Sequence, residues 1–258
     1  MSSPSCRPEV VARLRAAGCV FAEDEAALLE AAATTPEELT ALVDRRVGGE
    51  PLEYVLGWAE FCGLRLVVEP GVFVPRRRTG FLVELASDCA PRSAVVVDLC
   101  CGSGAVGAAL AAALGGVELH AVDVDPAAVR CARLNLAAVG RVHQGDLYDP
   151  LPRALRGRVD VLVVNAPYVP TGELRLMPPE ARDHEARAAL DGGADGHGVY
   201  RRVCAGAPDW LRPGGSLLVE TSRAQAPAAD AIMATSGLRA RVEESDELDA
   251  TVVVGVRT

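Results

Sequence analysis

Val95-Val96-Val97-Asp98-Leu99-Cys100-Cys101-Gly102-Ser103-Gly104-Ala105-Val106-Gly107 reads VVVDLCCGSGAVG, and it runs on into the alanine-rich stretch AVGAALAAAL. The short valine-rich run predicts a strand buried on both faces. Glycines at its end allow a turn in which the backbone approaches a ligand closely, and the following helix offers free N–H groups at its first turn. Gly102, Gly104 and Gly107 match the spacing G-x-G-x-x-G. Taken alone, that spacing fits a nucleotide-type ligand turn or simply a tight strand-to-helix connection.

The same alternation continues on both sides of this turn. TGFLVELASDCA, AVGAALAAAL, PAAVRCARLNLAA, VYRRVCAGAPDWL and AQAPAADAIMAT predict helices; AVVVDLC, VELHAVDV, VDVLVVN and SLLVET predict strands. Strands and helices in alternation predict a doubly wound, mostly parallel sheet covered on both faces. RARVEES and DATVVVGVR follow one another directly and predict an antiparallel hairpin at the end of that sheet. RVH, before Gln144, is a short segment to which no strand or helix is assigned. Upstream, RPEVVARLRAAG, DEAALLEAAA and TPEELTALVDRRV carry apolar residues at helical spacing, with Thr35-Pro36-Glu37-Glu38 as a helix start. The reading divides the chain into a helical N-terminal domain (1–48), a Gly- and Pro-rich linker with a β-hairpin (49–78) and an α/β catalytic domain (79–258).

Composition narrows the function. Half of the residues are apolar, enough for a large core, and 26 basic residues against 35 acidic ones give a net charge of −9. That sign argues against a general nucleic-acid binder, which needs a basic excess to neutralise phosphates. Eight cysteines form no C-x-x-C pair and no Cys/His cluster of zinc spacing, so free thiols in a reducing cytoplasm are expected and no metal site is read. The start MSSPSCRPEV lacks the apolar segment of a secretion leader, and no apolar run has the length of a membrane span.

Asp123 ends the strand after the glycine turn, 21 residues beyond Gly102. A carboxylate there accepts both hydroxyls of a ribose, in a nicotinamide dinucleotide or in S-adenosylmethionine. Asp98 favours the latter, because a carboxylate beside the turn suits a cationic, phosphate-free ligand better than a diphosphate. Asp125, just before Pro126, is read as a helix cap. Gln144-Gly145-Asp146-Leu147 is either a surface turn or a contact to adenine, with Asp146 reaching its amino group and Leu147 against the ring.

VVNAPYVP (163–170) brings Asn165 to the same sheet edge, and Pro167 stops the strand there. The side chain of Asn165 and the carbonyl of Ala166 offer two acceptors to one planar NH₂ group, with the Tyr168 ring behind it. An asparagine capping a turn is the plainer alternative.

With these stretches in view, the chain resembles the HemK-type protein-(glutamine-N5) methyltransferases, which are class I S-adenosylmethionine-dependent methyltransferases. RRVGGEPLEYVLGWAEFCGLRLVVEPGVFVPRRRTG is similar to that family's linker and Pro-Arg-Pro-x-Thr-Glu region. HEARAALDGGADGHGVYRRV is similar to its Glu-Pro-x-x-Ala-Leu-x-Gly-Gly-x-Asp-Gly segment. The resemblance implies a Rossmann-like seven-stranded sheet with a small helical N-terminal domain. It implies S-adenosylmethionine as cofactor, S-adenosylhomocysteine as product, and the Gly-Gly-Gln loop of a peptide-chain release factor as acceptor. Cofactor contacts are then Asp98, Cys100, Cys101, Gly102, Ser103, Gly104, Asp123, Val124, Asp146 and Leu147, with Asn165 shared between cofactor and substrate. Asn165, Ala166, Pro167 and Tyr168 form the catalytic clamp, in the position of Asn-Pro-Pro-Tyr, and Arg76 and Glu185 join them on the substrate side.

Three departures fall on that side. Ala166 replaces the first proline of the clamp. Arg77, Arg78 and Gly80 replace the family's Pro, its small or acidic residue, and its Glu. HEAR replaces Phe-Glu-Pro-Arg around Glu185. They make the chain a divergent paralogue and keep other acceptors open: the amide or guanidino group of a small molecule, and, against the acidic balance, an adenine N6. Arg76 to Arg78 are read as a contact to an acidic partner or as a solvated basic turn. A nicotinamide-dependent dehydrogenase and a non-catalytic S-adenosylmethionine-binding protein are the readings from other classes. His120 and His143 are taken as structural, and His184 and His197 as residues that could line the substrate pocket.

Overall fold

The structure, a computed structural model, describes residues 7–258; Cys6 and the start on which the absence of a leader was read lie outside the described residues. Three helices come first: α1 (Pro8–Ala16), α2 (Ala22–Ala32) and α3 (Pro36–Val47). The Thr35 hydroxyl accepts from the Glu38 amide at 3.1 Å and Pro36 opens the helix, as the sequence predicts. Leu14, Ala26, Leu29 and Val43 close a separate apolar core between these helices. Buried Arg46 joins Glu25 of α2 to Glu180 further along the chain, each at 2.6 Å.

A short helix, α4 (Leu52–Leu56), interrupts the expected linker, where the sequence reading had only irregular chain and a hairpin. Pro51 precedes its first turn and Gly57, with φ of 78°, ends it. The hairpin follows as β1 (Trp58–Phe61) and β2 (Leu64–Val67).

The remaining chain builds one sheet. Its elements are α5 (Gly80–Cys89), β3 (Val95–Leu99), α6 (Ala105–Leu114), β4 (Glu118–Asp123), α7 (Pro126–Asn135), β5 (Gly140–Gln144), β6 (Val159–Val164), α8 (Pro179–His184), α9 (Gly198–Trp210), β7 (Leu211–Thr221), α10 (Ala226–Thr235), β8 (Leu238–Ser245) and β9 (Ala250–Arg257). The strand order is β5-β4-β3-β6-β7-β9-β8. Five strands run parallel, and β9 is antiparallel to both its neighbours, which is the predicted terminal hairpin. β5 contains the RVH segment, to which the sequence reading assigns no element. It is an edge strand with no fully buried residue, so it lacks the apolar signature of a central strand.

Alternation along the strands separates two cores. Val97, Leu99, Leu162, Val164, Leu217 and Val219 face α9 and α10, whereas Val96, Val161, Val163, Leu218 and Val252 face α5 and α6. The chain builds β3, β4 and β5 outward and then returns to place β6 on the other side of β3. This reversal leaves a crevice at the C-terminal ends of β3 and β6, where ligands of open α/β sheets bind. No helix among the described residues is long and apolar enough to cross a membrane.

A candidate active site at the reversal of the sheet

That crevice holds a cavity of about 480 Å³, a volume ordinary for a small-molecule site. Every predicted site residue except Gly104 and Glu185 lies on its wall. Asp98, Cys100, Cys101, Gly102, Ser103, Asp123, Val124, Asp146 and Leu147 line one end, and Arg76, Asn165, Ala166, Pro167 and Tyr168 line the other. Gly104 sits directly behind the turn: its φ is 79°, and a Cβ there would press to 3.0 Å from Leu136 at the end of α7.

The first end is built by backbone donors and carboxylates. Asp98 is buried at the end of β3, and its Oδ2 accepts from the Gly107 amide at 2.9 Å. Burial raises its carboxyl to about 7, the Gly107 N–H partly opposes this, and nearby Asp123 adds to it. Asp123 accepts from the Gly102 amide at 2.8 Å and the Asp125 amide at 2.9 Å, which fixes its carboxylate across the turn. Its pKa is also raised, first by burial. Asp125 caps α7 through the Ala127 amide at 2.8 Å, as read from the sequence. Asn135 ties this end to the hairpin, accepting from the Val67 amide at 2.8 Å and donating to the Ser103 carbonyl at 2.9 Å. Asp146 lies on the wall but is paired at 2.5 Å with Arg202, a residue that no motif singles out.

A buried carboxylate and a half-buried one, neither in an ion pair among the described residues, fit a positively charged ligand. S-adenosylmethionine carries a sulfonium and an ammonium, so the residues present fit it: Asp123 would take the ribose hydroxyls, Asp98 would face the cationic end and Leu147 would lie against the adenine. Cys100 and Cys101 are held as thiols by burial, which pushes both above the ordinary thiol range.

The other end depends on a second segment. Val169 donates to the Leu190 carbonyl at 3.1 Å, Gly192 to the Val169 carbonyl at 2.9 Å and Thr171 to the Gly193 carbonyl at 2.9 Å. The segment LDGGADGHG (190–198) thus runs against the clamp backbone. A Cβ on Gly192 would come within 2.8 Å of the Pro167 carbonyl, and one on Gly196 would overlap the Tyr168 carbonyl and the Gln225 amide. Gln225 itself donates to the Tyr168 carbonyl at 2.8 Å. These glycines are therefore packing positions that let the clamp lie close.

Asn165 donates through Nδ2 to the Thr79 hydroxyl at 3.4 Å, which leaves Oδ1 as its available acceptor. No protein donor among the described residues takes the Ala166 carbonyl. Arg78 donates to the Tyr168 hydroxyl at 2.7 Å and, through Nε, to Glu220 Oε1 at 3.3 Å. Arg76 pairs with Glu185 at 2.5 Å and stacks on Phe73. Arg76 and Arg78 therefore each already hold a carboxylate of this chain, while Arg78 stays exposed and Arg77 is exposed with no ion pair among the described residues. Glu185 is buried, takes the Val74 amide as well, and stands behind Arg76 instead of on the cavity wall. His184 and His197 do not line the cavity, and His120 and His143 stack together at 5.2 Å away from it.

Sequence reasoning missed Thr79, Glu220 and Arg202. Glu220 carried a usable signal, being an acid near the end of the apolar strand SLLVET, the same sign that singled out Asp98 and Asp123.

The comparisons agree with this geometry. The family model "Methyltransferase small domain" matches residues 63–194. The chain is 44% identical over 197 residues to a release factor glutamine methyltransferase of Geobacter sulfurreducens, covering 74% of this chain and 68% of that protein. It is also 36% identical over 217 residues to a 4-amino-L-phenylalanine/4-methylamino-L-phenylalanine methyltransferase of Streptomyces pristinaespiralis, covering 80% and 73%. A solved methyltransferase from Pyrococcus furiosus shares the fold, with a TM-score of 0.58 at 16% identity over 76% of this chain and 89% of that one. With that fold and these relatives, the chain belongs to the HemK-type protein-(glutamine-N5) methyltransferases, S-adenosylmethionine-dependent enzymes of class I architecture.

Proposed function

We propose that the protein methylates the side-chain amide nitrogen of a glutamine in a protein substrate, with the Gly-Gly-Gln loop of a release factor as the acceptor. One observation carries this reading: the Asn165 amide is turned so that Oδ1, beside the unclaimed Ala166 carbonyl, is left to accept. Two acceptors side by side suit the two N–H groups of one planar amide.

S-adenosylmethionine supplies an electrophilic methyl group when bound. The chain's own residues do the rest. Asp98, Asp123 and Leu147 hold the cofactor end. Asn165 and Ala166 orient the amide nitrogen and favour the positive charge that develops on it, and Tyr168 packs on the flat group behind it. An amide nitrogen is a weak nucleophile, so holding it about 3–3.5 Å from the methyl carbon is the main contribution. The N-terminal helices, with Val20 and Phe21 exposed between α1 and α2, are assigned to recognition of the protein substrate. Seven free thiols among the described residues accord with a reducing cytoplasm.

A second reading is transfer to the amino group of a small aromatic amino acid. It is favoured by Ala166 in the clamp and by the relative that methylates 4-amino-L-phenylalanine, which matches 80% of this chain. Incubation with labelled methyl donor and a panel of release factors, a Gly-Gly-Gln peptide, glutamine, arginine and 4-aminophenylalanine separates the two. Label on the loop glutamine supports the first reading; label on 4-aminophenylalanine alone overturns it.

A further inference from the structure

We propose that Glu220 and Thr79 are positioning residues that decide which end of the Asn165 amide meets the acceptor. The inference rests on the clamp reading above. An asparagine side chain is nearly symmetrical in shape, and only its hydrogen bonds fix which end points where. Flipped, Asn165 would aim an NH₂ at the acceptor's own NH₂, donor against donor.

Thr79 is buried, and its hydroxyl has one proton to give. The Glu220 carboxyl lies beside that hydroxyl, which favours its ionised form, while burial opposes ionisation more strongly. In the observed geometry Glu220 Oε2 is buried and completes no hydrogen bond. A buried carboxylate oxygen in that position is costly unless it takes a proton donor, and the Thr79 hydroxyl is the rotor at hand. Paired with the Arg78 guanidinium, the carboxyl is taken in its ionised form, which only accepts, so it draws the Thr79 proton toward itself. Thr79 then has only lone pairs to offer Asn165, and Nδ2 must face it, as it does at 3.4 Å. Oδ1 is left for the acceptor.

The same carboxylate holds the other half of the clamp. Arg78, the chain neighbour of Thr79, binds Glu220 Oε1 and the Tyr168 hydroxyl together. Consecutive residues at the start of α5 thus relay one anchor on β7 to both Asn165 and Tyr168. This gives Arg78, one of the departures from the family pattern, a role inside the chain.

The test compares wild type with Thr79→Ser, Thr79→Val, Glu220→Gln and the Thr79→Val/Glu220→Gln double variant. Transfer is measured on whichever acceptor of the panel the wild type uses, and cofactor affinity by calorimetry. The Asn165 side-chain amide is followed by proton–nitrogen correlation NMR, its signals identified by their loss in Asn165→Ala. Thr79→Val and Glu220→Gln should each lower kcat about tenfold, the size of one lost hydrogen bond, with cofactor affinity unchanged. Thr79→Ser should recover most of that loss, and the double variant should be no worse than the poorer single one, because both cut the same relay. The Asn165 signals should move in Thr79→Val and Glu220→Gln and stay in place in Thr79→Ser. Wild-type kcat in Thr79→Val with unmoved amide signals overturns the proposal, as do losses that multiply in the double variant. Should Glu220→Gln lose cofactor binding through misfolding, the Thr79→Ser and Thr79→Val pair decides. A wild type that methylates no glutamine acceptor contradicts the proposed function instead, and the amide signals still judge the relay.

Discussion

Asp98→Asn should make the ligand-free protein more stable above neutral pH while weakening its hold on the cofactor. Burial lifts the Asp98 carboxyl from its ordinary 3.8 to about 7. Between those values the folded protein keeps a proton that the unfolded chain releases, so stability falls as pH rises through that window. Each pKa unit is worth about 1.4 kcal/mol, which sets a ceiling of about 4 kcal/mol by pH 8. Asparagine retains an oxygen for the Gly107 amide without the charge. Relief of about 2–4 kcal/mol is therefore expected at pH 8, shrinking as pH falls and reaching zero only below about pH 4. Urea unfolding of both proteins across this range reads it directly. Glu185 and Glu220, both raised by burial, and His120 and His143, both lowered by burial, are common to the two proteins and cancel in the difference, whereas Asp123, which faces Asp98, loses a like charge in the variant and adds to the relief. A variant no more stable than wild type at pH 8, or a difference that does not change with pH, refutes the reasoning. The stability sacrificed at Asp98 is what a cationic ligand relieves, so the same variant should bind S-adenosylmethionine more weakly.

Other substitutions test other parts of the site. Asp123→Ala removes the acceptor of the Gly102 and Asp125 amides and of the ribose; two charge-assisted bonds lost to the ligand predict about hundredfold weaker cofactor binding by calorimetry. Gly196→Ala pushes a methyl group into the Tyr168 carbonyl at a φ of 77°, so melting should show at least about 2 kcal/mol of destabilisation together with a lower kcat. Arg76→Met leaves buried Glu185 without its cation and should cost about 3 kcal/mol in urea unfolding, with the loss diminishing in acid as the carboxyl protonates.

The fold was legible where burial is two-sided. Val95 to Leu99 and Val159 to Val164 read as strands because almost every residue is apolar. β5 escaped because GRVHQ is an edge strand with polar residues on both faces, and α4 because five residues between Pro51 and Gly57 carry too little periodicity. The cofactor end was legible for a related reason: Asp98 and Asp123 interrupt strand ends near glycines, and their meeting follows from parallel pairing of β3 with β4. The acceptor end was only half legible. Asn165 and Tyr168 are local to one turn, but Thr79 lies 86 residues from Asn165 and Glu220 142 from Arg78, and no sequence period links them. Glu185 and Arg76 read as substrate contacts because each is charged and near the right motif; that they satisfy one another is a tertiary fact.

Asn165→Ala bears most directly on the clamp. Cofactor affinity by calorimetry and methyl transfer to the Gly-Gly-Gln acceptor are measured on the same preparation. If Asn165 holds the acceptor nitrogen, transfer falls about a hundredfold or more while cofactor affinity stays near wild type. Equal loss of both, or full transfer without the asparagine, contradicts it.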